Sequence, residues 1–219
     1  MRAPSSPRFA SLVLDADSTL ASVEGVDWLA GLRGPVLAAE SAVLTAQAMA
    51  GVLPLEAVYE NRLSRIRPTR RMLALLGEEY VRSVAPGAAA CVAALQRMGV
   101  RVVMVSGGLR AALLPLAAHV GIAAADVHAV DLSFDAGGTC TGLDGAQPLA
   151  RNFGKPQVVR SLGLPAPALA VGDGATDAAI RPEVAAFAAF TGFVRREAVV
   201  AAADHVVASF DELRALVLG

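Results

Sequence analysis

Hydrophobic residues in this chain form short continuous runs that are separated by longer stretches with helical patterns. The clearest runs cover 11–14, 102–105 and 168–171, and strand-like runs also cover 185–190 and 205–207. Uninterrupted apolar runs of this length are typical of parallel strands buried on both faces, and their alternation with helices is typical of α/β folds. The sequence therefore predicts an α/β fold with a doubly wound, mainly parallel, Rossmann-like sheet.

The stretch from 23 to 84 breaks this alternation. It carries helical patterns punctuated by glycine and proline but no convincing strand, and Ala85-Pro86-Gly87 marks its end. We therefore predict a small helical domain at 23–84, inserted after the first strand into a core domain formed by 1–22 and 85–219. Further core elements are predicted as a glycine-tipped hairpin at 131–142 and helices at 88–98, 155–162 and 211–218.

The first apolar run leads directly into Asp15-Ala16-Asp17-Ser18-Thr19-Leu20. Ligands of open α/β sheets bind outside the carboxyl ends of the strands, and no packing role requires two acids there. If the strand continued, the spacing would place Asp15 and Asp17 on one side, where a carboxylate and a neighbouring oxygen can hold a divalent cation. A turn or a helix cap is the alternative, because Asp and Ser also serve those purposes after strands.

Three later segments carry chemistry that complements the two acids. The run at 102–105 ends in Ser106-Gly107-Gly108, predicted as a turn that offers a hydroxyl and backbone N–H groups to an anion. Lys155 stands beside Pro156 where the chain enters a helix, and it can meet a phosphate as a point charge. The run at 168–171 leads into Gly172-Asp173-Gly174-Ala175-Thr176-Asp177, which is a second strand that ends in acids.

These four segments resemble the four motifs of the haloacid dehalogenase-like phosphatases, and they are closest to the phosphoserine phosphatase subgroup. The segment at 15–20 matches the Asp-x-Asp-x-Thr nucleophile motif, and 106–108, Lys155 and 172–177 match the other three in order. The resemblance extends from about Ser11 into the C-terminal region. Because it rests on four ordered motifs, it is far more specific than any one of them.

The resemblance implies a Mg²⁺-dependent phosphatase that converts O-phospho-L-serine to L-serine through an aspartyl-phosphate. Asp15 would be the nucleophile, and Asp17 the general acid and base. Mg²⁺ would be held by Asp15, the backbone carbonyl of Asp17 and Asp173, with support from Asp177. The phosphate would be bound by Ser106, Gly107, Gly108, Lys155 and Thr176.

The resemblance also identifies 23–84 as a helical cap that binds the amino-acid part of the substrate. Glu24 would receive the substrate ammonium and Arg62 its carboxylate, with Met49 and Leu55 in register with the cap. From spacing alone a solvated helix face is favoured for Arg62, because it precedes a run of charges at Arg65, Arg67, Arg70 and Arg71.

Two residues depart from the subgroup pattern. Leu55 stands where Phe is common, and Trp28 stands near the entrance where an acid is usual. Both departures concern the shape of the pocket, so phosphoserine is the leading substrate and another small phosphomonoester stays open. A phosphotransferase that passes the group to an alcohol such as homoserine also stays open. A non-catalytic phospholigand sensor is the third alternative, but a pure binder gains nothing from the intact Asp15 and Asp17.

Composition limits the classes of partner that the protein is expected to bind. The chain has 219 residues and a formal net charge of −1, and nucleic-acid binding normally requires a basic surplus. No apolar stretch reaches membrane length, and 1–10 carry no apolar signal segment, so we expect a cytoplasmic protein without a membrane partner. Two cysteines do not make a disulfide framework, and the three isolated histidines are expected to be structural or exposed. The oligomeric state stays open.

Overall fold

The computed structural model describes residues 6–219, apart from the side chain of Ala57. Residues 1–5 of the predicted core domain lie outside this description. The strands are β1 (Ser11–Leu14), β2 (Arg101–Leu109), β3 (Val127–Val130), β4 (Leu132–Phe134), β5 (Cys140–Leu143), β6 (Ala168–Gly172), β7 (Ala186–Phe190) and β8 (His205–Val207). The helices are α1 (Gly25–Gly31), α2 (Pro35–Met49), α3 (Leu55–Ile66), α4 (Arg70–Arg82), α5 (Ala88–Arg97), α6 (Arg110–Val120), α7 (Gly154–Ser161), α8 (Ala175–Ala178), α9 (Glu197–Ala201) and α10 (Phe210–Leu218).

Six strands form one parallel sheet in the order β3-β2-β1-β6-β7-β8, and β4 and β5 form an antiparallel hairpin. All four residues of β1 are buried, as expected for a central strand covered on both faces. Leu14 lies level with Met104 of β2 and Val171 of β6, so these strands reach the same edge of the sheet together. The predicted α/β fold with a mainly parallel sheet is confirmed.

The predicted turn at 106–108 is wrong. Strand β2 continues through these residues to Leu109, which pairs with Val130 of β3 after an irregularity in the register that begins at Val105. Two glycines and a serine carry little local preference for a strand, but pairing with a neighbour keeps the backbone extended. The sequence reasoning also missed α6 and β3, which follow directly after this segment.

Helices α1 to α4 lie between β1 and α5 in the chain. The chain leaves and re-enters the sheet domain at one place, because Ser22 N–H donates to Ser83 O at 3.0 Å and Ala85 N–H donates to Leu20 O at 2.8 Å. Helix α4 packs against α6, and a Cβ on Gly77 would lie 2.9 Å from Cγ of Pro115. The lack of a side chain at Gly77 therefore permits this close helix contact. No helix of the described residues is long and apolar enough to cross a membrane.

Candidate active site

The first acids of the two strand-end motifs meet because their strands are neighbours. Asp15 N–H donates to Val171 O at 3.0 Å, which continues the pairing of β1 and β6 into the loops that follow. The loop after β1 turns sharply at Ser18, which has a φ of 50°. Asp173 follows β6 in the same way. Both carboxylates are buried at the carboxyl edge of the sheet, where a ligand is expected.

Asp15, Asp173 and Asp177 form a buried acidic cluster in which one carboxylate oxygen of each residue lies within 4.8 Å of the others. Lys155 is also buried, and its Nζ lies 2.8 Å from Asp15 Oδ1 and 2.7 Å from Asp177 Oδ1. Burial, together with the charge of Asp15, raises the pKa of Asp177 to about 7. Burial alone would lower the pKa of Lys155, but the two carboxylates raise it above its ordinary value. Lys155 is therefore a permanent cation within this cluster.

The acidic cluster fits a hard divalent cation. Its donors are carboxylate oxygens, which Mg²⁺ and Ca²⁺ prefer. Asp15 Oδ1 is buried and accepts no hydrogen bond from the described residues, because Lys155 approaches it as an ion pair without hydrogen-bond geometry. Lys155 and Arg196 supply two positive charges to the three carboxylates, so the cluster keeps carboxylate oxygens that a divalent cation can share.

Arg196 is a residue of this site that the sequence reasoning missed. Its guanidinium pairs with the Asp173 carboxylate, and a second nitrogen lies 3.9 Å from Glu24 Oε1. It stands just before the short helix α9, outside all four motifs, so no local pattern indicated its position. A cation bound at Asp173 would share that carboxylate with Arg196.

Asp17 lies beside the acidic cluster in a different environment. Its Oδ1 accepts hydrogen bonds from Gly25 N–H at 3.1 Å and from the Tyr80 hydroxyl at 2.5 Å. Burial is the main cause that raises the pKa of Asp17 well above its ordinary value, and the neighbouring charges of Glu24 and Asp15 add to it. A carboxyl group with a raised pKa can hold a proton at neutral pH and donate it.

A cavity between the sheet edge and helices α1 to α3 brings most of the predicted residues together. It is lined by eleven of the thirteen predicted site residues: Asp15, Asp17, Glu24, Met49, Leu55, Arg62, Ser106, Gly107, Lys155, Asp173 and Thr176. Asp177 lies behind Lys155 rather than on the wall. Gly108 is also absent from the wall, and a Cβ there would approach Asp17 Oδ2 at 3.2 Å.

The cavity wall also carries residues, from α1 to α3 and from the segment between β5 and α7, that the sequence reasoning did not identify. They are Val26, Thr45, Tyr59, Leu149 and Arg151. Trp28, predicted to lie near the entrance, does not line the cavity and packs instead against the hydrophobic core. Trp28 is therefore not a wall residue of the cavity. Leu55 does line the cavity and is buried.

Arg62 belongs to the cavity and not to a solvated helix face. Its Nη1 donates to Thr45 Oγ1 at 2.5 Å and lies 3.4 Å from Asp27 Oδ1. Asp27 Oδ1 is held in turn by the hydroxyls of Ser41 and Thr45. Arg62 Nε is buried without a hydrogen-bond partner among the described residues. The solvated-face reading of Arg62 is wrong, although Arg65, Arg67, Arg70 and Arg71 are exposed.

Glu24 supplies an opposite charge to the same cavity. It precedes the first turn of α1, and its Oε1 accepts a hydrogen bond from the Ser18 hydroxyl at 2.7 Å. Burial is the main cause that raises the pKa of Glu24, partly offset by the bond from Ser18. Arg62 and Glu24 can thus face the two charges of one amino acid.

A set of contacts holds α3 against the core next to the cavity. Leu55 N–H donates to Asn152 Oδ1 at 3.0 Å, and Asn152 N–H donates to Glu56 Oε2 at 2.8 Å. The Tyr59 hydroxyl donates to Gly107 O at 2.9 Å. The bond from Asn152 lowers the pKa of Glu56. These contacts place the first turn of α3 beside the segment that leads into α7, the helix whose second residue is Lys155.

The fold and the site together define a hydrolase of the class that carries an Asp-x-Asp motif directly after the first strand of its sheet. The model of the haloacid dehalogenase-like hydrolase family matches residues 12–180, and the chain belongs to that family. The resemblance drawn from the four motifs is confirmed.

Within the family, the curated relatives of the chain are phosphoserine phosphatases. Those of Bos taurus and Homo sapiens are each 35% identical over 208 residues, which covers 93% of this chain and 91% of each relative. Among solved structures, a phosphoserine phosphohydrolase-like protein from Francisella tularensis superposes with a TM-score of 0.87 at 22% identity, covering 94% of this chain and 98% of the other. That likeness shows the fold.

Proposed function

We propose that the protein is a Mg²⁺-dependent phosphatase that hydrolyses O-phospho-L-serine to L-serine and phosphate. The observation that carries the proposal is one cavity whose wall holds both Asp15 with Lys155 and the opposite charges of Arg62 and Glu24. The phosphoserine phosphatases of cattle and humans, at 35% identity over most of the chain, support this substrate.

We propose that 23–84 is the cap of the enzyme and that 1–22 with 85–219 is its core. The close hydrogen bonds where the chain leaves and re-enters the sheet domain support this division. The contacts of Leu55 and Glu56 with Asn152 support a cap that covers the cavity.

Electrostatics determine which groups the reaction needs. At about 4 Å, a unit charge on a carboxylate repels a unit charge on a phosphate by about 4 kcal/mol at an effective dielectric constant of 20. Lys155 offsets this repulsion at Asp15, and Ser106 and Thr176 offer hydroxyls to the phosphate oxygens. Asp15, Asp173 and the backbone carbonyl of Asp17 would hold Mg²⁺, which when bound neutralises phosphate charge and stabilises the transition state. Asp177 keeps Lys155 in place through its 2.7 Å contact.

The reaction proceeds in two steps at Asp15. In the first step, a carboxylate oxygen of Asp15 forms a bond to phosphorus while the bond from phosphorus to the serine oxygen breaks. The departing oxygen keeps the electron pair of that bond and takes a proton from Asp17, so serine leaves as a neutral alcohol. In the second step, Asp17 removes a proton from a water molecule that attacks the aspartyl-phosphate, which releases phosphate and restores Asp15.

The cap selects the substrate by charge and by shape. Arg62 binds the carboxylate of phosphoserine, and Glu24 binds its ammonium group. Met49 and Leu55 form apolar walls. Leu55 is smaller than the Phe common in the subgroup, and a difference of this kind shifts selectivity by only about 1 to 3 kcal/mol. We therefore expect activity on close relatives of phosphoserine.

The proposal is tested by phosphate release from a panel of phosphomonoesters. The panel is phosphoserine, phosphothreonine, phosphoethanolamine and glycerol phosphate, each with Mg²⁺ and with a chelator. We expect the highest kcat/KM for phosphoserine, loss of activity with the chelator, and loss in Asp15→Asn without a change in melting temperature. Addition of homoserine separates the alternatives, since transfer to this alcohol would reduce free phosphate. Binding of phosphoserine without turnover would identify a sensor instead.

A further inference from the structure

Tyr80 reaches the candidate active site from α4, outside all four motifs. Its side chain is completely buried, and its hydroxyl donates to Asp17 Oδ1. The same oxygen accepts the N–H of Gly25 at 3.1 Å. Asp17 Oδ2, in contrast, accepts no hydrogen bond within the part of the chain that the structure describes. The two oxygens of this carboxyl group are therefore held in different ways.

Two donors that point at Oδ1 determine where the carboxyl group can carry its proton. A proton on Oδ1 would oppose the hydrogens of Tyr80 and Gly25, so the protonated form carries its hydrogen on Oδ2. The Cβ position of Gly108 is 3.2 Å from Oδ2 and 3.3 Å from the Ser106 hydroxyl, so both groups lie next to Gly108, and both residues line the cavity. The proton is thus available on the side where the phosphate ester binds.

We propose that Tyr80 is a positioning residue that directs the proton of Asp17 to Oδ2 for transfer to the leaving oxygen. The inference rests on the proposed function, in which Asp17 is the general acid. As the bond between phosphorus and the leaving oxygen breaks, that oxygen takes the proton from Oδ2. The hydroxyl of Tyr80 then donates to a carboxylate anion, and hydrogen bonds to an ionised group are stronger than neutral ones. Tyr80 keeps its own proton throughout.

Two further observations support a positioning role for Tyr80. It does not line the cavity, so it does not touch the substrate. Gly25 makes room for the contact, because a Cβ at Gly25 would lie 2.2 Å from the hydroxyl oxygen. Gly25 at the start of α1 and Tyr80 of α4 thus contact the same carboxyl group, that of Asp17.

The test compares Tyr80→Phe on esters that differ in their need for a proton. The alcohol of an alkyl ester such as phosphoserine must be protonated as it leaves, whereas p-nitrophenol leaves as a stable anion. The value of kcat/KM depends on the steps up to phosphoryl transfer to Asp15, and the leaving group needs its proton in that transfer step. We expect Tyr80→Phe to lose about tenfold or more in kcat/KM on the alkyl ester, within the range of general acid catalysis, and less than about threefold on p-nitrophenyl phosphate.

The other tyrosine provides the matched control. Tyr59→Phe also removes one buried hydroxyl, but that hydroxyl donates to Gly107 O and not to Asp17. We expect Tyr59→Phe to change kcat/KM by the same factor on both esters. Equal factors on both esters for Tyr80→Phe, or no loss at all, would overturn the proposal and leave Tyr80 a structural residue.

A second variant addresses the same contact from the other helix. Gly25→Ala forces its methyl group against the Tyr80 hydroxyl, so we expect the same ester-dependent loss with Tyr80 unchanged. Melting temperatures of all variants identify any that fail to fold. If the wild-type enzyme favours another alkyl phosphate over phosphoserine, only the proposed substrate is contradicted. The role of Tyr80 can still be tested, because any alkyl ester that the enzyme hydrolyses can be compared with p-nitrophenyl phosphate. A Gly25→Ala enzyme with equal losses on both esters would count against the proposal.

Discussion

Replacement of Arg62 by Ala tests how the enzyme would recognise the amino-acid part of its substrate. The Arg62 side chain is 7% exposed, and both contacts of its guanidinium, with Thr45 and Asp27, use Nη1. Nε is buried without a partner among the described residues. The edge formed by Nε and Nη2 is therefore available to bind a carboxylate through two parallel hydrogen bonds, which is the strongest geometry for this pair.

The size of the effect follows from this environment. Removal of one partner of a buried, hydrogen-bonded charge pair costs about 2 to 5 kcal/mol. Since 1.4 kcal/mol is a factor of ten, this corresponds to a loss of about 30-fold to 4,000-fold in kcat/KM for phosphoserine. The loss of Arg62 also removes the ion pair of Asp27, but Asp27 Oδ1 keeps the hydroxyls of Ser41 and Thr45, so we expect the variant to fold.

The assay compares phosphoserine with phosphoethanolamine, which has the same phosphate and ammonium groups but no carboxylate. We expect the full loss on phosphoserine and less than about threefold on phosphoethanolamine. Arg65→Ala is the matched control, because Arg65 lies one turn further along α3 in an exposed pair with Glu40, and such surface pairs contribute about 0 to 1 kcal/mol. Equal losses on both esters in Arg62→Ala would show that Arg62 supports the cap and does not bind a carboxylate.

Two further predictions concern the start of α7 and the segment before it, next to Lys155. Gly154→Ala would place a Cβ 1.8 Å from the backbone oxygen of Pro148. We therefore expect weaker activity and a loss of about 1 to 3 kcal/mol in the free energy of unfolding, measured by urea unfolding. Gly31→Ala is the control, because a Cβ at Gly31 meets nothing within 4 Å. The hydrogen bond from Asn152 N–H lowers the pKa of the Glu56 carboxyl group. The stabilisation that this bond gives to the contact between α3 and Asn152 is therefore present above the ordinary pKa of glutamate, and it is lost as the pH falls through the lowered pKa. Glu56→Gln should therefore raise KM at neutral pH and weaken the dependence of KM on acidification, and an unchanged KM at every pH would contradict a role in closing the cap.

The sequence alone was sufficient for the class of fold and for the residues that meet at the carboxyl edge of the sheet. Parallel strands buried on both faces leave continuous apolar runs, and residues directly after a strand must lie at its carboxyl edge. Asp15 and Asp173 are therefore neighbours because β1 and β6 are neighbours. Lys155 was recognisable because its motif occupies the start of a helix. In each case a local pattern and one general rule of α/β sheets determined the position.

Only the tertiary structure decided which distant residues complete the site. Tyr80 is 63 positions from Asp17, and Asn152 is 97 positions from Leu55, so no local pattern connects them. The run of charges after Arg62 favoured a solvated face for this residue, yet the packing of α3 against α1 and α2 buries it. Periodicity shows that a helix has an apolar face, but the partner of that face depends on how helices pack. Contacts between elements distant in the chain therefore determine which side chains of 23–84 line the cavity.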